Sequence, residues 1–270
     1  MPTVTLPSGT IYYREKGTGP AMIMLMGTGA DHTSWARQVP VLSQRFRVVT
    51  PDNRGSGRSV PPPPPDATCQ LFAGEIARFA DALAIPRFHL VGYSFGSAVA
   101  MTLALDEPDR VVALSIHAGW AGPNPTTSQA LDASRERIRR DGVAVFLEAA
   151  CRRNFSPTFQ QADPAVWEAF LKNVVNSVTR PSAEGVLAQA NAGATHDVRA
   201  RLPGLAVPTL VTTGEHDPLA GPAVAAELAA AIPGAELHIF RGPRAYHAIP
   251  LEMAAEFNEV VARFHGAHDT

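Results

Sequence analysis

The sequence predicts an α/β architecture: a mostly parallel eight-stranded sheet with helices on both faces and a helical cap inserted after the sixth strand. Three observations predict it. Short, continuous apolar runs alternate with amphipathic helical patterns, as expected for parallel strands buried on both sides. One connection, from the run ending near His117 to the run starting near Val207, spans about 90 residues and holds helical patterns of its own, so it is too structured for a loop. The 270 residues, 46% hydrophobic and 18% charged, suit one large α/β domain with an insertion better than two independent domains.

The elements follow in order. Thr3 to Leu6 and Ile11 to Arg14 alternate in polarity around Pro7-Ser8-Gly9 and read as a hairpin. Ala21 to Met26 is an apolar run ending at Gly27, and Phe46 to Thr50 is a second. Cys69 to Leu83 places Leu71, Phe72, Ile76, Phe79 and Leu83 on one helical stripe. Phe88 to Val91 is a strand followed by a small-residue helix from Ser97, and Val111 to Ile116 is the sixth strand. Helical patterns at Gln129 to Cys151, Pro164 to Asn176 and Ser182 to Ala192 define the cap, residues 119–202, which leaves 1–118 and 203–270 as the core domain. Val207 to Thr212 and Leu237 to Phe240 complete the sheet, and Gly221 to Ile232 and Leu251 to Phe264 complete the helices. Pro61 to Pro65 reads as a stiff polyproline II surface loop, with a docking site for a partner domain as the alternative.

Bulk properties narrow the function. A net charge of -2 points to neither nucleic acid nor an anionic membrane as partner. Cys69 and Cys151 are too few for a disulfide framework and fit a reducing compartment, with one disulfide still open. No run approaches the roughly 18 apolar residues of a membrane span, and the N-terminus lacks a basic region followed by an apolar stretch. The expectation is a cytoplasmic monomer or homodimer acting on a small molecule, with no cofactor and no metal, because no H-E-x-x-H spacing and no phosphate loop occurs.

The chemistry is carried by loops at strand ends. Gly92-Tyr93-Ser94-Phe95-Gly96 fits G-x-S-x-G, a sharp strand-to-helix turn with serine at its apex and glycines where side chains would collide. The plainer reading is a turn whose serine caps a helix. Serine needs a base, and His247, between the last strand and the last helix, lies where loops at the carboxyl ends of parallel strands converge. Asp217, in Thr213-Gly214-Glu215-His216-Asp217-Pro218, would orient that imidazole; Glu215 is the nearby substitute and His216 a decoy. The order Ser, Asp, His suits such a sheet. Backbone N–H groups of Phe95 and of Thr28, in Met26-Gly27-Thr28-Gly29-Ala30, are the candidate oxyanion hole.

With these residues the chain resembles the α/β-hydrolase superfamily, in its small capped branch of serine esterases and lactonases. Asp52-Asn53-Arg54-Gly55-Ser56-Gly57-Arg58-Ser59 is similar to the family's D-x-R-G-x-G-x-S segment, where Arg54 would anchor a loop. Two departures stand out: Met26 replaces a frequent histidine before Gly27, and Tyr246 replaces a frequent glycine before the histidine. The resemblance implies hydrolysis of a small or medium carboxylic ester or lactone through an acyl-enzyme. A carbon–carbon bond hydrolase, a perhydrolase or cyclase, and a slow-turnover small-molecule receptor use the same scaffold. In the cap, Phe146, Phe155, Trp167 and Phe170, with Trp120 before them, read as cap core more than substrate wall. Arg135, Arg137, Arg139, Arg140, Arg152 and Arg153 read as a solvated helix face, because residues 120–200 carry nearly equal numbers of basic and acidic side chains.

Overall fold

The computed structural model describes residues 2–177, 179 and 181–269. The hairpin forms from β1 (Thr3–Leu6) and β2 (Gly9–Lys16), and Val4 and Leu6 of β1 face inward. Then come β3 (Ala21–Leu25), α1 (Val39–Leu42), β4 (Arg47–Pro51), α2 (Cys69–Ala82), β5 (Phe88–Tyr93), α3 (Phe95–Asp106) and β6 (Val111–His117). Among the described residues, five α-helices lie between β6 and the next strand: α4 (Pro125–Asp141), α5 (Val143–Asn154), α6 (Pro157–Ala162), α7 (Pro164–Asn176) and α8 (Ala183–Thr195). The chain ends with β7 (Thr209–Gly214), α9 (Pro222–Ala231), β8 (Glu236–Phe240), α10 (Ile249–Glu252) and α11 (Ala254–Ala267).

The eight strands lie in the order β1-β2-β4-β3-β5-β6-β7-β8. Among the described strands only the β1–β2 and β2–β4 pairs are antiparallel. The sheet therefore has two apolar faces, and β3 serves both by simple alternation. Ile23 and Leu25 join the core under α2, α3 and α9, while Met22 and Met24 join the one under α11. On α2 the predicted stripe is buried at Phe72, Ile76 and Phe79 and half-buried at Leu71 and Leu83.

Several boundaries differ from the sequence reading. The helical pattern at Gln129 to Cys151 is two helices, broken at Gly142, whose φ of +86° is the left-handed region that glycine tolerates. The first of them starts earlier, at Pro125, because the Asn124 side chain caps it. A turn of helix not anticipated, α6, is capped by Ser156 with Pro157 following. The seventh strand begins at Thr209 rather than Val207: Pro208 has no N–H to enter a ladder, although its carbonyl accepts from the Leu114 N–H at 2.9 Å. Both cysteines are free, and burial raises both thiols to about 12. No helix among the described residues is long and apolar enough to cross a membrane.

The helical insertion rests on the core through close backbone contact. A Cβ at Gly185 of α8 would lie 2.6 Å from the Cα of Gly55, whose own φ is +88°. Beside it Pro63 is buried, Arg54 Nη1 donates to the Pro62 carbonyl at 3.3 Å, and Asn191 Nδ2 donates to that of Pro65 at 3.0 Å. Backbone cannot yield as a flexible side chain can, so we expect Gly185→Val to lower stability by about 1–3 kcal/mol, read by denaturant unfolding. An unchanged midpoint would refute this seating of α8.

Candidate active site

The G-x-S-x-G turn has the predicted shape. Ser94 links β5 to α3 with φ +54° and ψ -119°. Both flanking glycines are required by contact with backbone. A Cβ at Gly92 would stand 2.6 Å from the Gly96 carbonyl oxygen, and one at Gly96 would collide with the carbonyl of Leu25. Helix α3 thus lies directly on the sheet, and the strain at Ser94 is the result. The Ser94 N–H donates to the His117 carbonyl at 2.9 Å, and Ser97 Oγ donates to the same carbonyl at 2.9 Å.

His247 and Asp217 meet on neighbouring loops. His247 Nδ1 is 2.8 Å from Asp217 Oδ2, with both side chains almost fully buried. The other carboxylate oxygen, Oδ1, accepts the N–H groups of Leu219 and Ala220 at 2.8 and 3.0 Å. Burial alone would raise this carboxyl, but the adjacent imidazole and the two N–H donors outweigh it and hold it down at about 2. An ionised carboxylate can only accept, so the Nδ1–H of His247 donates to Asp217. Beneath the imidazole, Tyr93 Oη donates to the His247 carbonyl at 3.2 Å and stacks on His117 at 5.4 Å. Burial first, then the charge of His247, lowers His117 to about 3 and keeps it neutral. Glu215 is turned elsewhere: it accepts the Gly242 N–H and pairs with Arg241 and His216.

Ser94, His247, Thr28 and Gly27 line one cavity of about 480 Å³. Gly27 is pressed against the serine, since a Cβ there would be 3.1 Å from that of Ser94. In this loop the Ala30 N–H bonds the Gly27 carbonyl at 3.2 Å and the Gly29 N–H bonds Gln189 Oε1 at 2.8 Å. The Thr28 N–H has no acceptor among the described residues. The Phe95 N–H opens α3 and so has no acceptor within the helix. Gln189 was not anticipated. It is fully buried on α8, and its Nε2 also donates to the Arg54 carbonyl at 3.0 Å and to Ser56 Oγ at 2.9 Å. A single glutamine in a helical pattern carries no signal of such a role. Arg54 itself is anchored by a buried ion pair with Glu75 at 2.8 Å. The aromatic residues divide their work: Trp167 packs in the insertion's core, whereas Trp120, Phe146, Phe155 and Phe170 also form cavity wall. Asp31, His32 and Asp52 form a cluster of metal-ligating types, but His32 Nδ1 already bonds Asp52 at 2.8 Å and Asp31 accepts from Thr33 and Thr179.

A carboxyl held below its ordinary value adds stability that is complete above about pH 5 and disappears as pH falls toward 2. We expect the stability gap between the wild type and Asp217→Asn to shrink by about 2 kcal/mol across that window. Denaturant midpoints at stepped pH give the comparison, and a gap independent of pH would refute it.

Comparisons with known proteins agree with this architecture. The sequence profile of the alpha/beta hydrolase fold matches residues 20–252. RutD from Caulobacter sp. (strain K31), named for carbamate hydrolysis, is 30% identical over 266 residues, 96% of this chain and 98% of its own. The crystal structure of the enol-lactonase from Burkholderia xenovorans LB400 superposes with a TM-score of 0.89 at 29% identity, covering 98% of this chain and 100% of that one. A thermophilic esterase from Thermogutta terrifontis superposes at 0.86 with 27% identity, covering 99% of this chain and 98% of that one. The chain is an enzyme and belongs to the alpha/beta hydrolase fold family.

Proposed function

We propose that the protein is a serine hydrolase that cleaves a small or medium carboxylic ester or lactone through an acyl-enzyme. The observation that carries the reading is the buried His247–Asp217 contact at 2.8 Å opening onto the same cavity as a strained Ser94. Ser94 Oγ attacks the carbonyl carbon while His247 Nε2 takes its proton. The oxyanion is held by the N–H groups of Thr28 and Phe95, helped by the positive end of α3. His247 then protonates the leaving alkoxide, and water repeats the sequence on the acyl-enzyme. Asp217 keeps Nδ1 protonated throughout.

Residues 119–202 act as the cap that walls the site. The cavity's size lies in the range of small-molecule sites, and its lining is mostly apolar. That favours a substrate larger than carbamate, the substrate class in RutD's name, and agrees with the lactone and ester classes in the names of the two structural neighbours. All three are acyl substrates that one nucleophile and one oxyanion hole serve.

An aryl phosphonate should leave one covalent adduct, at Ser94, and Ser94→Ala should lower kcat on an ester and lactone panel by at least about 10⁴-fold. Labelling elsewhere, or turnover that survives the substitution, would sink the reading. Tight ligand binding without product release would favour the receptor. Gln189 acts as a positioning residue for the Thr28 loop. Gln189→Leu should reduce kcat about tenfold or more with KM little changed, and Gln189→Glu, which keeps the acceptor for Gly29, should recover part of it. A loss confined to KM or to thermal stability would remove that role.

A further inference from the structure

The insertion's arginines separate into two groups. Arg135 pairs with Asp132, Arg140 with Asp141 at 2.8 Å, Arg152 with Glu148 and Glu168 at 2.9 and 3.3 Å, and Arg139 is exposed. Arg137 of α4 and Arg153 of α5 are placed differently. Both line a second cavity of about 220 Å³, which shares Ser134, Phe146, Ala150 and Arg153 with the active-site cavity. Among the described residues neither guanidinium forms an ion pair, and Arg153 donates only through Nε, to Asn154 Oδ1 at 3.0 Å.

The carboxylates near them are occupied. Asp141 lies within electrostatic reach of Arg137, but it accepts two bonds from Arg140, at 2.9 and 2.8 Å. Asp217 lies within reach of Arg153 and is saturated by His247, Leu219 and Ala220. Arg137 and Arg153 also repel one another. Burial, the largest cause, already lowers the Arg153 guanidinium from its usual range. Two like charges sharing one half-buried apolar space are unfavourable alone and favourable around an anion. Asp31, a carboxylate that lines the main cavity, is held by Thr33 and Thr179.

We propose that Arg137 and Arg153 form an anion subsite of the active site. It receives a free carboxylate remote from the bond that is cleaved. The preferred substrate is then a hemi-ester of a dicarboxylic acid, or a lactone bearing a carboxylate. This rests on the serine hydrolase reading above and narrows its substrate class.

Two measurements test it. The first compares kcat/KM for 4-nitrophenyl hemiglutarate with that for 4-nitrophenyl pentanoate, which has similar length and no charge. The hemiglutarate-to-pentanoate ratio should fall about tenfold or more in Arg153→Met and in Arg137→Met, and Arg153→Lys should restore part of it. The second is calorimetry of monomethyl glutarate and methyl pentanoate on Ser94→Ala protein. The hemi-ester should bind about tenfold tighter, an advantage lost when both arginines are also replaced by methionine. A ratio unmoved by either substitution, or equal binding of the two esters, overturns the subsite. If Ser94-dependent turnover is present and the ratio does not move, the subsite alone fails. If turnover does not depend on Ser94 but the arginine-dependent binding difference persists, the hydrolase reading fails and the subsite stands.

Discussion

The site depends on one packing constraint: α3 lies so close to the sheet that backbone touches backbone. Gly96 meets the carbonyl of Leu25, and Gly92 meets the first turn of α3. No side chain fits either place, so the chain must turn from strand to helix within one residue, and Ser94 takes the strained conformation that results. The same closeness puts the end of β3 beside the serine. The loop with Gly27 and Thr28 therefore borders Ser94, and the N-terminal end of α3 begins at that residue. Strand order does the rest: β5 lies between β3 and β6, so the Gly27–Thr28 loop and the stem of the insertion flank Ser94 on opposite sides.

The Asp217 carboxylate is held by backbone rather than by a cation. Asp217 Oδ1 is saturated by the N–H groups of Leu219 and Ala220, which leaves Oδ2 for the imidazole. An arginine in that place would compete with His247 for the carboxylate's charge; two amides fix its position without doing so. Under the imidazole, a neutral His117 and the ring of Tyr93 provide a floor that packs and adds no competing charge.

Periodicity and turn chemistry made the sheet and the loops at its strand ends legible in the sequence. Apolar runs gave the strands, and the glycines around Ser94 announced a close approach that the contacts at Leu25 explain. What remained illegible was long-range and side-chain specific. Continuous helical periodicity from Gln129 to Cys151 hid a break, because one glycine with a left-handed φ interrupts the backbone without interrupting the pattern. Gln189 gave no signal, since its role comes from three partners more than 130 positions away in sequence. The arginines of the insertion looked uniform because composition averages a surface. Only the fold separates Arg137 and Arg153, which face a cavity, from neighbours paired on the outside.

The insertion is tied to the core at several points around the cavity. Gln189 joins it to the Gly29 and Arg54 loops, and Glu252 of α10 accepts from the backbone and hydroxyl of Ser156. The N–H of Ala248 donates to the Asn154 carbonyl at 3.1 Å. That last bond joins the residue after His247 to the residue after Arg153. The end of α5, which carries Arg153, and the loop that carries His247 thus share one backbone contact, which fixes the spacing of their main chains. Under the proposal above, a substrate anchored at both ends of this frame would be selected by the length between its anion and its acyl carbon, because a chain too short or too long loses one contact in making the other. Selectivity of that kind needs no wall shaped to the middle of the substrate, which suits a cavity whose lining includes Phe155 and Phe170, side chains already committed to packing the insertion.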